Sequence, residues 1–181
     1  MSISLLAYLL GGLAIAMALA GLLLPKALQS GLAQFPRNHL AGHLLAATAS
    51  ALAAREAFMM NMGGLSGMKS AIYLIAPLVY IGSVTCLKEL LAARALGGVL
   101  CLIAVPVVKV AALSGAPAFQ VITLMGYGWA IWGITLLLAP WKCRQLHELL
   151  LRSPKLLRVV LAAKLLFGLG LLYLGSFVYS A

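Results

Sequence analysis

The sequence predicts an all-α protein, a polytopic transmembrane helical bundle, and three observations favour this fold class. Of the 181 residues, 64% are hydrophobic and 9% are charged, whereas a soluble domain is about half apolar and a quarter charged. The apolar residues form continuous runs rich in Leu and Ala, each about 20 residues long, which is the length of a helix that crosses a bilayer. The runs do not alternate apolar and polar residues as barrel strands do. Helices therefore satisfy the backbone hydrogen bonds in lipid.

Six apolar runs divide the chain, and prolines mark several of their limits. Pro25 ends the first run and Pro36 lies just before the second, while Pro77 is expected to kink the third. We expect a single integral membrane domain over residues 1–181, with spans at about 3–24, 39–60, 70–87, 95–113, 118–139 and 156–179. The alternative is five spans, with the second or third run lying flat on the membrane.

Basic residues are distributed unevenly between the loops. With six spans, the odd-numbered loops hold nine of the thirteen Lys and Arg residues and the even-numbered loops hold two, Arg55 and Lys69. The positive-inside rule then places the odd loops in the cytoplasm and both termini on the opposite side. Six of the basic residues are expected to anchor at the head groups of anionic lipids: Arg37, Lys142, Arg144, Arg152, Lys155 and Arg158. Because the charges are scattered between apolar runs, the net charge of +10 does not indicate a nucleic-acid partner.

Small residues recur every four positions in the first two runs, which allows another helix to approach closely. The stripe in the first run consists of Gly12, Ala16 and Ala20. The stripe in the second run consists of Gly42, Ala46, Ser50 and Ala54. The next face of that run carries His39, His43, Ala47, Ala51 and Arg55. We expect both faces of the second run to lie against protein.

The segments around the first and third loops resemble each other. Leu22–Lys26 reads LLLPK and Leu138–Lys142 reads LAPWK, and the second prolines, Pro36 and Pro154, are each followed by a basic residue. Each unit is a span, a proline, a short amphipathic connector, a second proline and another span. We interpret spans 1–2 and 5–6 as a parallel repeat of one two-helix hairpin, unlike the inverted repeats of many transporters. The alternative is a chance likeness between hairpins under the same membrane constraints.

Two short motifs carry a resemblance to other proteins. The second span starts at Phe35-Pro36-Arg37 and the fourth at Arg94–Gly98, which reads RALGG. With these motifs the chain resembles an uncharacterised group of small polytopic bacterial inner-membrane proteins. The resemblance implies a multi-pass protein of the bacterial inner (cytoplasmic) membrane, and it implies no activity. In that membrane, the distribution of basic residues predicts that both termini are periplasmic.

Two groups of residues are candidates for chemistry. His39 and His43 lie one helical turn apart, which is a spacing that can hold a metal ion or a haem, although solvated histidines at a helix start are the alternative. Arg55, Glu56 and Lys109 are charged residues inside predicted spans and are candidates for transport, although structural ion pairs are the alternative. The chain contains no Asp, and no catalytic set of residues can be assembled, so we expect neither an enzyme nor a bound cofactor.

These observations together favour a structural or accessory integral-membrane subunit of a larger bacterial membrane complex, with other membrane subunits as partners. The chain has almost no soluble portion, and its stripes of small residues are numerous for one short bundle. The first alternative is a small transporter or channel that uses Arg55, Glu56 and Lys109. The second is a membrane redox protein with haem or metal at His39 and His43.

Overall fold

The computed structural model describes residues 2–60, 69–86 and 90–179, and this part of the chain is helical without strands. The all-helical class is therefore confirmed for the described residues. Their eight α-helices are α1 (Ile3–Leu23), α2 (Pro25–Gln34), α3 (His39–Met59), α4 (Ile72–Cys86), α5 (Leu91–Ala112), α6 (Gln120–Leu138), α7 (Trp141–Arg152) and α8 (Pro154–Tyr173). A 3₁₀ turn, Phe35–Arg37, precedes α3, and a π-helical turn, Leu174–Val178, continues α8.

Five of the described helices are long and apolar enough to cross a membrane. They are Ile3–Leu23, Lys69–Cys86, Leu91–Ala112, Gln120–Leu138 and Pro154–Val178. The protein is therefore a multi-pass membrane protein by composition. Helix α3 is as long as α1, at 21 residues, but it is less apolar and does not belong to this set.

Helix starts follow from local sequence. A polar side chain precedes three of the long helices and accepts a hydrogen bond from the first turn: Ser2 before α1, Asn38 before α3 and Ser153 before α8. Such caps satisfy backbone donors that have no partner inside the helix. Pro154 occupies the first position of α8, where its missing N–H costs nothing.

The first of two compact units comprises Met1–Ala33, Val105–Gly128 and Arg144–Ala181. Its centre is the pair α1 and α8, which pack along each other in antiparallel directions. Gly21 lies beside Leu161 at one end of the pair, and Gly175 lies beside Tyr8 at the other. Ile3, Ala7 and Ala18 of α1 are buried there.

The second unit comprises Gln34–Ala104 and Trp129–Cys143. Helices α3 and α4 pack as a pair within it, and a buried cluster forms around Ala93, Leu136 and Cys143. Helices α5 and α6 each contribute residues to both units.

The helix bounds differ from the predicted spans at two places that affect function. Helix α5 begins at Leu91, whereas the fourth span is predicted from 95, so Arg94 lies in a helix and not in a loop. The difference arises because the first turn of a helix tolerates a charged side chain that hydropathy assigns to a loop. The predicted end of the third span, Leu87, lies outside the described residues.

Candidate functional site

The face of α1 that packs on α8 lies beside the predicted stripe. A Cβ atom added to Gly11 would lie 2.9 Å from the Gly168 carbonyl oxygen, so the two backbones are in direct contact. The predicted stripe residues Gly12, Ala16 and Ala20 are exposed on this chain. They do not form the contact between α1 and α8, because α8 covers the face of α1 that carries Gly11 instead.

A close approach in the second unit joins α5 to α6. A Cβ atom added to Gly97 would lie 2.6 Å from the Gly133 carbonyl oxygen, and one added to Gly133 would lie 2.6 Å from Cys101 Sγ. Only residues without a side chain permit such an approach. Cys101 Sγ lies 3.6 Å from the Ala130 carbonyl oxygen across the same seam.

The two predicted stripes of α3 have different surroundings in this chain. Gly42 and Ala46 are buried, and Ser50 and Ala54 are half-buried. A Cβ atom added to Gly42 would lie 3.2 Å from the Ala92 backbone nitrogen of α5. On the neighbouring face, Ala47, Thr48 and Ala51 are exposed.

The charged residues predicted inside spans are divided between the two units. Arg55 Nη1 and Glu56 Oε1 form an ion pair of 3.1 Å, with side chains 57% and 27% exposed. Lys109 belongs to the other unit, is exposed, and lines a surface cavity with Ser2 and Ile3. Lys164 Nζ lies 3.5 Å from Met17 Sδ, on a neighbouring helix of the same unit.

The two histidines of α3 have different surroundings. His39 is exposed, whereas His43 is half-buried and its Nδ1 lies 3.3 Å from the Tyr80 hydroxyl. Within the described ranges, no three His, Cys, Asp or Glu side chains stand close enough together to hold a metal ion. A haem or metal at His39 and His43 stays a hypothesis.

The amphipathic helices α2 and α7 meet through His147. Its Nδ1 lies 2.9 Å from the Leu32 carbonyl oxygen, and because a carbonyl only accepts, Nδ1 carries the hydrogen. Burial lowers the pKa of His147 from its ordinary 6.5, and the hydrogen bond to Leu32 opposes this shift. Burial likewise raises the pKa of the Cys143 thiol at the start of α7.

The six predicted lipid anchors are all exposed: Arg37, Lys142, Arg144, Arg152, Lys155 and Arg158. One of them, Arg144, lies 3.4 Å from Glu148 one turn along α7, and both side chains are 54% exposed. Such an exposed ion pair contributes little to stability and is easily exchanged for another partner. All six basic side chains are therefore accessible to lipid head groups.

A cavity of about 190 Å³ lies in the second unit between α3, α4 and α5. Its walls are small and apolar, with Ala46, Ala49 and Ala53 from α3 and Gly98 from α5, and its polar lining includes Ser50 and Arg94. Arg94 Nε is a buried side-chain nitrogen with no hydrogen-bond partner in the described part of the chain. The Arg94 side chain as a whole is half-buried, and a guanidinium stays charged at any physiological pH, so a cation with one N–H unpartnered among the described residues lines this cavity.

Sequence reasoning missed two features of the site. It started the fourth span at 95 and left Arg94 in the preceding loop, whereas α5 begins at Leu91 and includes Arg94. It assigned the packing role on α1 to Gly12, although Gly11 offers the same small size one position away.

Comparison with known proteins finds no relative: no family model matches the chain, and no similar curated protein or solved structure is found.

Proposed function

We propose that the protein is a structural or accessory subunit of a larger complex in the bacterial inner membrane, where other membrane subunits cover part of its helical surface. The observation that carries the proposal is the exposed face of α3. Ala47, Thr48 and Ala51 lie there, and small or weakly polar residues are typical of helix–helix contacts rather than of lipid-facing surfaces. Since no helix of the described chain covers this face, its partner is another polypeptide.

Six membrane spans fit the helix directions better than five. Helices α1 and α8 are antiparallel, because Gly11 lies beside Gly168 while Gly21 lies beside Leu161. The first and last spans run in opposite directions only if the number of spans is even. If α3 lay flat on the membrane, five spans would remain and these two helices would be parallel.

The direction of α3 also supports its being a span. Gly42 of α3 lies beside Leu91 and Ala92 of α5, and seven residues later Ala49 lies beside Gly98. Helix α3 therefore runs parallel to α5, which is apolar enough to cross the membrane. In a six-span arrangement with cytoplasmic odd loops and periplasmic termini, the second and fourth spans point in the same direction.

The order of helices supports a parallel repeat of one hairpin. Helices α1, α2 and α3 have 21, 10 and 21 residues, and α6, α7 and α8 have 19, 12 and 20. In both sets the short middle helix is amphipathic and a capping side chain starts the third helix, Asn38 in one and Ser153 in the other.

A purification experiment tests the proposed function. The tagged chain is expressed from its native locus, extracted in a mild detergent and examined by quantitative mass spectrometry. We expect a second membrane protein in a fixed ratio, lost when Ala47→Leu and Ala51→Leu are combined. The control is Ala163→Leu, because Ala163 is an equally exposed alanine on α8 among large lipid-facing residues. A wild-type chain that purifies alone, or a partner that tolerates the double substitution, would contradict the proposal.

A further inference from the structure

The Arg94 side chain has an unsatisfied nitrogen within the described part of the chain. Its Nε is buried and without a hydrogen bond, and neither ion pair of the described residues involves it. The side chain as a whole is half-buried, but a buried N–H without a partner costs free energy, so such groups are hydrogen-bonded in stable proteins. The nearest acid in the sequence, Glu89, lies outside the described residues.

The position of Arg94 identifies the kind of anion that reaches it. Arg94 lies in the first turn of α5, so it stands at the end of a span, at the level of lipid phosphates. The start of a helix also carries the positive end of the helix dipole, so the dipole adds to the charge of the guanidinium. A guanidinium matches the geometry of a phosphate group through paired N–H donors.

The cavity beside Arg94 suits a segment of a hydrocarbon chain. Its volume is about 190 Å³, whereas an apolar cavity of about 150 Å³ holds a benzene molecule. The lining of Ala46, Ala49, Ala53 and Gly98 continues from Arg94 along α3 and α5. Ser50 lines the same cavity, and its hydroxyl group is a further donor.

We propose that this cavity binds one anionic phospholipid, whose phosphate pairs with Arg94 and whose acyl chain lies between α3 and α5. This site differs from the six exposed lipid anchors, because Arg94 Nε is buried and the cavity supplies a place for the chain. The site belongs to the described chain itself and does not depend on the proposed partner subunit.

Native mass spectrometry of the purified full chain tests the site. Phosphatidylglycerol is titrated against the protein in detergent, with phosphatidylethanolamine, which carries no net charge, in a parallel series. We expect the wild type to retain one phosphatidylglycerol molecule preferentially, and Arg94→Gln to weaken this first binding at least about tenfold, the loss expected for a charge-assisted pair. The matched control is Lys26→Gln, which removes an exposed cation that is not one of the six predicted anchors and leaves the first binding unchanged.

A second variant keeps the test decisive if Arg94→Gln does not fold. Ser50→Leu retains the cation but fills the cavity, and we expect it to weaken the first binding severalfold while Arg94→Lys weakens it less than Arg94→Gln. Equal loss in Arg94→Gln and Lys26→Gln would overturn the proposal, and so would unchanged binding in Ser50→Leu. Full competition by inorganic phosphate alone would also overturn it, since the acyl chain would then contribute nothing.

Discussion

The contact between α5 and α6 can be tested by substituting two adjacent glycines of α5, Gly97 and Gly98. A Cβ atom added to Gly97 would lie 2.6 Å from the Gly133 carbonyl oxygen and 3.0 Å from Leu136 Cβ. One added to Gly98 would lie 3.6 Å from Ala49 Cβ, which is ordinary van der Waals contact. We therefore expect Gly97→Ala to destabilise the protein and Gly98→Ala to be neutral or stabilising.

The magnitude follows from comparing the two substitutions. Each replaces a glycine inside α5 by alanine, so the gain in helix propensity, up to about 1 kcal/mol, cancels in the difference. What remains is the cost of overpacking, typically about 1–3 kcal/mol. The backbone oxygen that meets the new methyl group cannot rotate away, so we expect a difference near the upper part of this range.

Unfolding in mixed micelles with increasing amounts of SDS measures this difference. Tryptophan fluorescence follows the transition, because Trp132 lies next to Gly133 in α6 and packs against the buried cluster of the second unit. Gly133→Ala should behave like Gly97→Ala, since its new methyl group would lie 2.6 Å from Cys101 Sγ. The reasoning is refuted if Gly97→Ala unfolds at the same SDS fraction as Gly98→Ala or at a higher one.

Three further predictions concern single side chains outside the seams. Burial lowers the pKa of His147 from 6.5, so the folded state binds fewer protons, and the stability should be complete above pH 6.5 and decline as the pH falls below it. SDS unfolding at pH 5 and pH 8 checks this, and His147→Gln should remove the difference between them. Cys86 is exposed and Cys143 is buried, and burial also raises the pKa of the Cys143 thiol. Maleimide should therefore label Cys143 severalfold more slowly than Cys86. Equal labelling rates, measured by peptide mass spectrometry, would contradict the burial of Cys143. Lys69 Nζ donates a hydrogen bond to the Phe58 carbonyl oxygen in the last turn of α3, at 3.0 Å. Lys69→Met should therefore lower the free energy of unfolding by about 0.3–1 kcal/mol. If Lys69→Met is neutral and matches Lys69→Arg, Lys69 does not stabilise the end of α3.

The helical class and the connectors could be read from the sequence because they depend on local signals. Apolar length sets the spans, and Ser153 with Pro154 sets the start of α8. The packing faces could not be read in the same way. Gly11 and Gly12 are equally small. Only the position of Gly168, on a helix far away in the sequence, decides which of them contacts α8.

The cavity beside Arg94 also could not be predicted from the sequence, for a different reason. Hydropathy places an arginine at a span end in the loop, where water and lipid head groups solvate it. The burial of its Nε depends on how α3 and α4 pack around α5, and this is a property of tertiary packing. The histidine contact between α2 and α7 is similar, because Leu32 and His147 are far apart in the sequence.

The central claim is that another polypeptide covers the small-residue face of α3, and crosslinking in native membranes tests it most directly. A photoreactive phenylalanine derivative replaces Leu44, which is 61% exposed and one turn before Ala47, or Leu166, which is 69% exposed on α8. We predict a discrete adduct with one other membrane protein from position 44 and no protein adduct from position 166. The same outcome from both positions, whether an adduct or none, would contradict the claim.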